Sequence, residues 1–421
     1  MTQPLAALAA GAPAPVFVVG GPGTTVTIRA LRLCNEVDVV DSPRQANVLV
    51  VVGELPQSLE GPARAMHDQL SLPRVTVRWS PRGDVGTQEL AMQVVAAHRQ
   101  LLDGTRSAEP FLGADEDPAP WRGVGPYGQG GTGMTGGTPY GRPLTGRAPD
   151  RDGLQLDQVS LTVGPFFAAF PVGLVLHVKL QGDVLQEVAV EANPFARAVG
   201  PPDDVFRRAL RHPVPIADLE LARARHHLGW LSDALRIQGL GALGRNALAV
   251  AERLGPGDGD AVAALVAAVR RSGVLRWSVG PVGHLSLSAV AGRGLGPLAR
   301  AAGIREDARQ LDPAYQELGF EPVLGIDGDA RARWEQRLAE TAQAVDLAGR
   351  PRDRLTGRTD MVEAPRGPLS PGATEPAARL LDLVPEVMVG LEWGDAVAAL
   401  ASLDVDIAEA ARSVVPAGAP G

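Results

Sequence analysis

The chain has 421 residues, a formal net charge of −8 and one cysteine. A mildly acidic balance excludes a general nucleic-acid binder, which needs a basic footprint, and a single thiol excludes both an intrachain disulfide framework and a four-thiolate metal cluster. Apolar residues make up 45% of the chain, enough for real cores, while Gly 50 and Pro 36 imply many turns and at least one connector.

The length predicts two or three domains. Residues 1–15 are Ala-rich and lack the basic start of a signal peptide. The most apolar runs are far too short to span a bilayer, so a membrane role is expected to come through a partner. The lone cysteine fits a reducing compartment.

Residues 16–20, 48–53 and 74–79 read as three strands. Their continuous β-branched runs predict burial on both faces, as in a parallel sheet. Helical periods over 59–70 and 88–102 alternate with them, which predicts an α/β layer of flavodoxin-like type over residues 15–104. Residues 105–151 form a Gly/Pro-rich linker, richest in glycine over 123–147. It is expected to be either a flexible connector or an ordered strap anchored by Tyr127, Met134 and Tyr140. It contains no GxxxxGK[ST], so a phosphate loop is not expected there.

A second region spans residues 152–412. Runs 174–180 and 184–190 flank Gln181-Gly182-Asp183, a hairpin signal. Residues 218–237 and 244–254 carry helical apolar spacing, and 260–271 is an Ala/Val-rich helix opened by Asp258 or Asp260. Residues 329–347 predict a long amphipathic helix with Arg331, Arg333, Glu335, Arg337 and Glu340 mainly on its wet side. A helical or mixed segment, 392–412, closes the region. The expected architecture is a small β element attached to a helical bundle.

Several blocks carry a family resemblance. In the first region these are Ser42-Pro43-Arg44-Gln45-Ala46-Asn47 running into the 48–53 strand, then His67-Asp68-Gln69 and Pro73-Arg74-Val75. In order and spacing they resemble the small, cluster-bearing subunit shared by respiratory complex I and membrane-bound nickel–iron hydrogenases. In the second region the blocks are Gly164-Pro165 with the Gly182-Asp183 hairpin, Glu220-Leu-Ala-Arg223 through His227 to Trp230, Gly296-Pro297 through Arg300 to Asp307 and Arg309, Gly328-Asp329 through Arg337 and Glu340, Glu363-Ala-Pro-Arg366-Gly367, and the closing Gly390–Asp404 segment. These resemble the large subunit of the same pair, the hydrogenase large subunit and its quinone-reacting counterpart.

The resemblance implies a natural fusion of the two subunits. Its fold would be a flavodoxin-like α/β domain followed by an α+β, mainly helical domain of hydrogenase-large-subunit type. The metal ligands are missing. Where the small-subunit pattern places paired cysteines after the first strand, this chain has Gly20-Gly21-Pro22-Gly23-Thr24-Thr25, and after the third strand it has Ser80-Pro81-Arg82. Cys34 lies at neither place and reads as a small core filler. The two CxxC pairs of the hydrogenases are absent. The His-Gly loop of the quinone site is replaced by Phe166-Phe167-Ala168-Ala169-Phe170, and its Tyr has no counterpart in residues 203–212.

The resemblance therefore implies no iron–sulfur cluster, no nickel–iron centre, no metal ligands and no catalytic residue in this chain. Its interface or cavity candidates are Ser42, Pro43, Arg44, Glu220, Arg223, His227, Arg300, Asp307, Arg309, Glu363, Arg366 and Asp404. Glu220 and Arg223, at i, i+3, could form a helix-surface pair, or belong with the other arginines and carboxylates to a polar network at the domain interface. His226 and His227 point about 100° apart on one helix and do not chelate together, so one should face the core and one outward.

The main expectation is a cofactor-depleted subunit of a complex I- or hydrogenase-related membrane complex with a structural or gating role. It would dock on antiporter-like or channel-like membrane subunits, with a ferredoxin-like subunit as a further partner, on the inner face of the cell membrane. The alternative is a subunit that takes part in NADH- or hydrogen-linked quinone reduction with clusters supplied by partner chains. A third reading places a small anion at the Gly20–Thr25 loop before a helix.

Overall fold

A computed structural model describes residues 11–80, 86–113, 146–149, 152–195, 204–350 and 353–412. Tyr127, Met134 and Tyr140 lie outside these residues, as does most of the Gly-rich stretch.

The N-terminal region is a four-stranded parallel sheet in the order β2-β1-β3-β4, with β1 Ala14–Gly20, β2 Val37–Val39, β3 Val48–Val52 and β4 Val75–Trp79. The three strands expected from β-branched runs are all present. The short β2 escaped because three residues, one of them Asp38, carry too little pattern. Helices α1 Thr25–Leu33 and α2 Gln57–Asp68 connect β1 to β2 and β3 to β4, and α3 Thr87–Asp103 follows β4. The first, α1, is the helix expected after the Gly20–Thr25 loop; it buries only Ile28 and Leu31.

Every residue of β3 is buried, and its side chains divide between two cores by the period-2 rule. Val48, Val50 and Val52 pack with Leu31 of α1 and with Leu90 and Val94 of α3. Leu49 and Val51 face the other way, with Phe17, Val19, and Leu59 and Ala63 of α2. That second core continues without a break into Phe166, Phe170, Leu174, Leu176, Leu298 and Leu400 of the C-terminal region. One face of the parallel sheet is therefore covered partly by the chain's second half.

The C-terminal region opens with a four-stranded antiparallel sheet in the order β5-β6-β7-β8, with β5 Arg147–Pro149, β6 Gln155–Val163, β7 Leu176–Gln181 and β8 Val184–Val190. The expected hairpin is β7–β8. Strand β5 lies within the stretch read as linker, and the other end of that stretch is also tied down. The backbone N–H groups of Leu112 and Gly113 both donate to the Asp68 carboxylate at 2.8 Å. At both described ends of the stretch expected to be a linker, residues 112–113 and 147–149, isolated side chains and a three-residue edge strand anchor polar backbone that composition scores as loop.

The rest is mainly helical: α4 Ile216–Ile237, α5 Gly241–Arg253, α6 Gly259–Arg271, α7 Ala330–Gly349 and α8 Trp393–Leu403, with short helical turns between. Asp258 sits at the start of α6, but its carboxylate accepts from Gly255 N at 2.7 Å and not from the helix. Asp329 does cap α7, accepting from Ala332 N at 2.7 Å. The closing segment breaks after α8 at Asp404, which adopts the left-handed conformation (φ 61°), and resumes as a single turn at Ile407–Ala410.

Two expectations about polar faces are corrected. Arg333, Arg337 and Glu340 of α7 are buried, not wet. They stand at spacings of four and three residues, on the face that meets α4 and α8. Burial is tolerated because each finds partners: Arg333 donates to the carbonyls of Gly283 and Gly328 at 2.9 and 2.7 Å, and Arg337 to Ser402 O at 2.9 Å. Likewise Glu220 and Arg223 of α4 form no surface pair. They meet at 3.2 Å with both side chains fully buried.

Candidate functional site

The C-terminal edge of the parallel sheet, the start of α1 and one face of α4 enclose a cavity of about 200 Å³. The sheet order reverses between β1 and β3, and the loop after β1 lines this cavity with Gly21, Gly23 and Thr25. Crevices at such switch points are where open α/β sheets place ligands. Gly21 has a steric reason: a Cβ there would lie 2.4 Å from Glu54 O, in the loop after β3. Thr24 donates to Gly21 O at 2.7 Å, a hydrogen bond within the loop. The opposite wall is the Phe166–Phe170 loop, with Phe195, Leu400 and Trp230 behind it. Cys34 is half-buried at the far end of α1, where its thiol donates to Ala30 O at 3.5 Å. Burial, then Glu36, pushes that thiol up.

Charges bind the two walls together. Arg29 donates to Asp233 Oδ2 from Nη2 at 2.7 Å, and Arg32 donates to the other oxygen of the same carboxylate. Burial alone would raise Asp233, but the two guanidiniums outweigh it and hold it at about 2. Arg236 pairs with Asp41 and also donates to Ala168 O at 2.7 Å, fixing the Phe-rich loop. Arg245 of α5 donates to Asn35 Oδ1 at 2.9 Å. All of these contacts except the one to Ala168 join the first region to the second. Asp233→Ala leaves Arg29 and Arg32 side by side without their counter-ion. A loss of about 1–2 kcal/mol is expected, read as a lower urea midpoint with the far-UV spectrum unchanged.

At the inner end of the cavity, Arg366 donates to Asp404 O at 2.6 Å and to Asp404 Oδ1 at 3.1 Å. His226 Nε2 lies 2.7 Å from Asp404 Oδ2. Burial would raise Asp404, yet Arg366 and His226 hold it far below the usual carboxylate range. Burial lowers His226 despite this partner.

Behind the cavity, inside the helical region, lies a second charged cluster. Arg300 grips Glu340 with two nitrogens, at 2.8 and 3.1 Å, and reaches Glu363 Oε1 at 2.8 Å and Asp307 Oδ2 at 3.1 Å. Arg309 joins Asp307 at 2.7 Å to Glu220 at 3.1 Å. Tyr315 donates to Glu220 Oε1 at 2.6 Å, and Arg223 donates to Glu363 O at 2.6 Å. These side chains are buried. Three guanidiniums thus face four carboxylates. Burial would raise Glu340 and Asp307; Arg300 outweighs it for Glu340, and Arg300 with Arg309 for Asp307, so both sit below their ordinary values. Burial and then Asp307 push Glu363 up. Of these three carboxylates, Glu363 is thus the one on which a proton costs least.

Two glycines set this register. Gly296 opens the turn Pro297–Ala301 that carries Arg300, and Gly367 begins the strand after Glu363-Ala-Pro-Arg366. A Cβ on Gly296 would meet Gly367 Cα at 2.7 Å. The two sequence blocks lie backbone on backbone, which brings Arg300 to Glu363.

His227 is fully buried on α4, and neither ring nitrogen has a hydrogen-bond partner. Its Nε2 is 3.7 Å from Glu340 Oε2, too far for a hydrogen bond. Burial lowers its pKa to about 4 against the pull of Glu340, so the ring is neutral at pH 7.

Of the twelve candidates from sequence, Arg366 and Asp404 line the cavity. Glu220, Arg223, Arg300, Asp307, Arg309 and Glu363 come together in the cluster behind it, within the helical region and not at the junction of the two halves; His227 stands beside Glu340. Ser42, Pro43 and Arg44 form a turn that meets Ser71, whose hydroxyl donates to Arg44 O at 2.6 Å. Sequence reasoning missed Arg29, Arg32, Asp41, Asp233 and Arg236, which hold the junction. The available signal was Arg29/Arg32 and Asp233/Arg236, two pairs of charged residues at i, i+3 on helices. Among the described residues no group of three or more His, Cys, Asp or Glu side chains is arranged to hold a metal ion, and no helix is long and apolar enough to cross a membrane.

The fold and site define a protein with a parallel α/β layer bonded by charge to a helical region with an ionic core. Residues 276–374 match the family described as respiratory-chain NADH dehydrogenase, 49 kDa subunit. The chain is 44% identical over 87 residues to the D-type subunit (form 1) of NADH-quinone oxidoreductase from Streptomyces coelicolor, covering 20% of this chain and 23% of that protein. It is 39% identical over 64 residues to the corresponding D-type subunit of NADH-quinone oxidoreductase from Syntrophobacter fumaroxidans, covering 15% and 17%. The matches thus span less than a quarter of either relative's length. A chain of the membrane-bound sulfane sulfur reductase, an archaeal respiratory membrane complex, superposes with a TM-score of 0.46 at 19% identity, over 61% of this chain and 99% of that one. The helical region therefore carries a segment homologous to the D-type subunits of NADH-quinone oxidoreductases.

Proposed function

We propose that this chain is a complex I-related subunit that works without a cofactor of its own, as a structural or gating piece between soluble and membrane parts of a larger assembly. Residues 15–104 would be the small-subunit-like domain and 152–412 the large-subunit-like domain of a natural fusion. Its partners would be antiporter-like or channel-like membrane subunits, with a ferredoxin-like subunit as a further partner, and it would sit on the inner face of the cell membrane through them. The observation that carries this reading is where the homology to the D-type subunits falls. Arg300, Asp307, Arg309, Tyr315, Glu340 and Glu363 all lie within residues 276–374. The homologous segment thus supplies most of the ionic core. The first region contributes Gly, Thr and Ser where cluster-bearing relatives are expected to have thiolates.

The cavity supports a second reading. Its Phe-rich wall and paired arginines would suit a flat amphipathic ligand, and a quinone could be reduced there with clusters from partner chains. Anoxic purification followed by iron and nickel analysis and titration with a fluorescent quinone-site inhibitor separates the two. The main reading expects neither metal nor saturable inhibitor binding. Stoichiometric iron or nickel in the isolated chain sinks it, and saturable binding at the cavity, lost in Phe170→Arg, favours the second.

A further inference from the structure

We infer that β6 is a pairing edge through which two copies of this chain associate, an interaction that goes beyond the proposed role. Strand β6 is held by β7 along residues 158–163, but on its other side β5 covers only residues 155–157 and Gly146 O accepts from Gln158 N at 2.8 Å. Among the described residues nothing pairs with that second edge over 159–163. Val159 and Leu161 are 43% and 45% exposed, on the face where their β7 partners Leu180 and Val178 are half-buried and buried. Ser160 and Thr162 are exposed on the opposite face.

Natural edge strands are blunted by charge, proline or bulges. The stretch Val159-Ser160-Leu161-Thr162-Val163 has neither charge nor proline, and the register shift in this sheet falls between β7 and β8. In residue chemistry the five positions also read the same in both directions. Antiparallel pairing of two copies about Leu161 sets Val159 against Val163, Ser160 against Thr162 and Leu161 against its own copy. Each is a favourable cross-strand pair: aliphatic on one face, hydroxyl with hydroxyl on the other. The contact is isologous and closes as a two-fold dimer. The free length between the end of β5 and Gly164 is the length of this symmetric stretch. Two four-stranded sheets would join, and the overhanging apolar stripe of each would continue into the other. So short a contact is far below a standard interface, so the dimer is weak and forms in proportion to concentration.

The test is sedimentation equilibrium of the full chain from about 1 to about 300 μM, where a small interface titrates. The mass should rise from one chain toward two. Leu161→Lys and Leu161→Glu, both at an exposed position that leaves the fold intact, should each remain monomeric, because like charges oppose across the two-fold axis. A one-to-one mixture of the two variants should recover the dimer, which only pairing at Leu161 explains. A wild-type chain that stays monomeric throughout overturns the inference, whether because the edge is covered by the chain's own residues before Gly146 or is left open. A dimer indifferent to Leu161→Lys also overturns it.

Discussion

Arg300→Ala is expected to lower the unfolding free energy by about 3–5 kcal/mol, the cost of breaking a buried ionic network at one member. The Arg300 side chain is fully buried and, among the described residues, is the one group that touches Glu340, Glu363 and Asp307 together. Without it, three buried carboxylates crowd together with Arg309 and Arg223 as the remaining cations of the cluster. Arg300→Lys should recover little, since an ammonium cannot replace the two-nitrogen grip on Glu340 while reaching Glu363. The control is Arg305→Ala, whose partner Glu321 and own side chain are both well exposed; it should change stability by less than about 0.5 kcal/mol. Urea unfolding followed by circular dichroism measures all three. If Arg300→Ala unfolds within about 1 kcal/mol of wild type, the network is not the keystone of the helical core.

Stability should also fall as pH drops from 7 to 4, before most carboxylates titrate. The cause is His227. Its folded pKa is about 4 and its unfolded value about 6.5. The unfolded chain therefore binds a proton that the folded chain refuses. The contribution is complete above about pH 6.5, declines as pH falls, and is gone at about 4. It amounts to about 3 kcal/mol. Below pH 4 a second loss follows, because Asp307, Glu340, Asp404 and Asp233 are all held below their ordinary values by arginines. Glu363, which burial pushes up, works the other way at higher pH, between its raised folded value and its ordinary one. His227→Gln removes the titrating ring and should flatten the pH 7-to-4 slope, although His226, also lowered, keeps part of it. Denaturant midpoints at half-unit pH steps decide this; an unchanged slope in His227→Gln would assign the loss elsewhere.

Periodicity made the regular elements readable. β3 is five β-branched or Leu residues buried on both faces, and α4 and α7 carry long helical spacing. What periodicity could not say is which polar residues are inside. On α7 the pattern scores Arg333, Arg337 and Glu340 as solvent-facing, but carbonyls of Gly283, Gly328 and Ser402 and the guanidinium of Arg300 receive them. Most of those partners lie tens of residues away, so no local window contains them. The motif blocks were more informative, because glycine against glycine at Gly296 and Gly367 ties two of them together in space. The junction itself was hidden. Arg29–Asp233 and Arg236–Asp41 bridge separations of 204 and 195 residues, and each half of each pair looks like an ordinary helix or loop charge until the two regions meet. Burying a Phe-rich loop at the cavity wall, with Arg236 on Ala168 O, is equally a tertiary fact.

As proposed above, this chain would be one piece of a complex I-related membrane assembly. The direct test is to isolate the full chain, tagged at its C-terminus, from gently solubilised native membranes and to identify what co-purifies in fixed proportion. Multi-span antiporter-like or channel-like subunits are expected in equal amount with this chain, released together when Asp233→Ala loosens the junction. Recovery of the chain from the soluble fraction alone, with no membrane subunit attached, would contradict it.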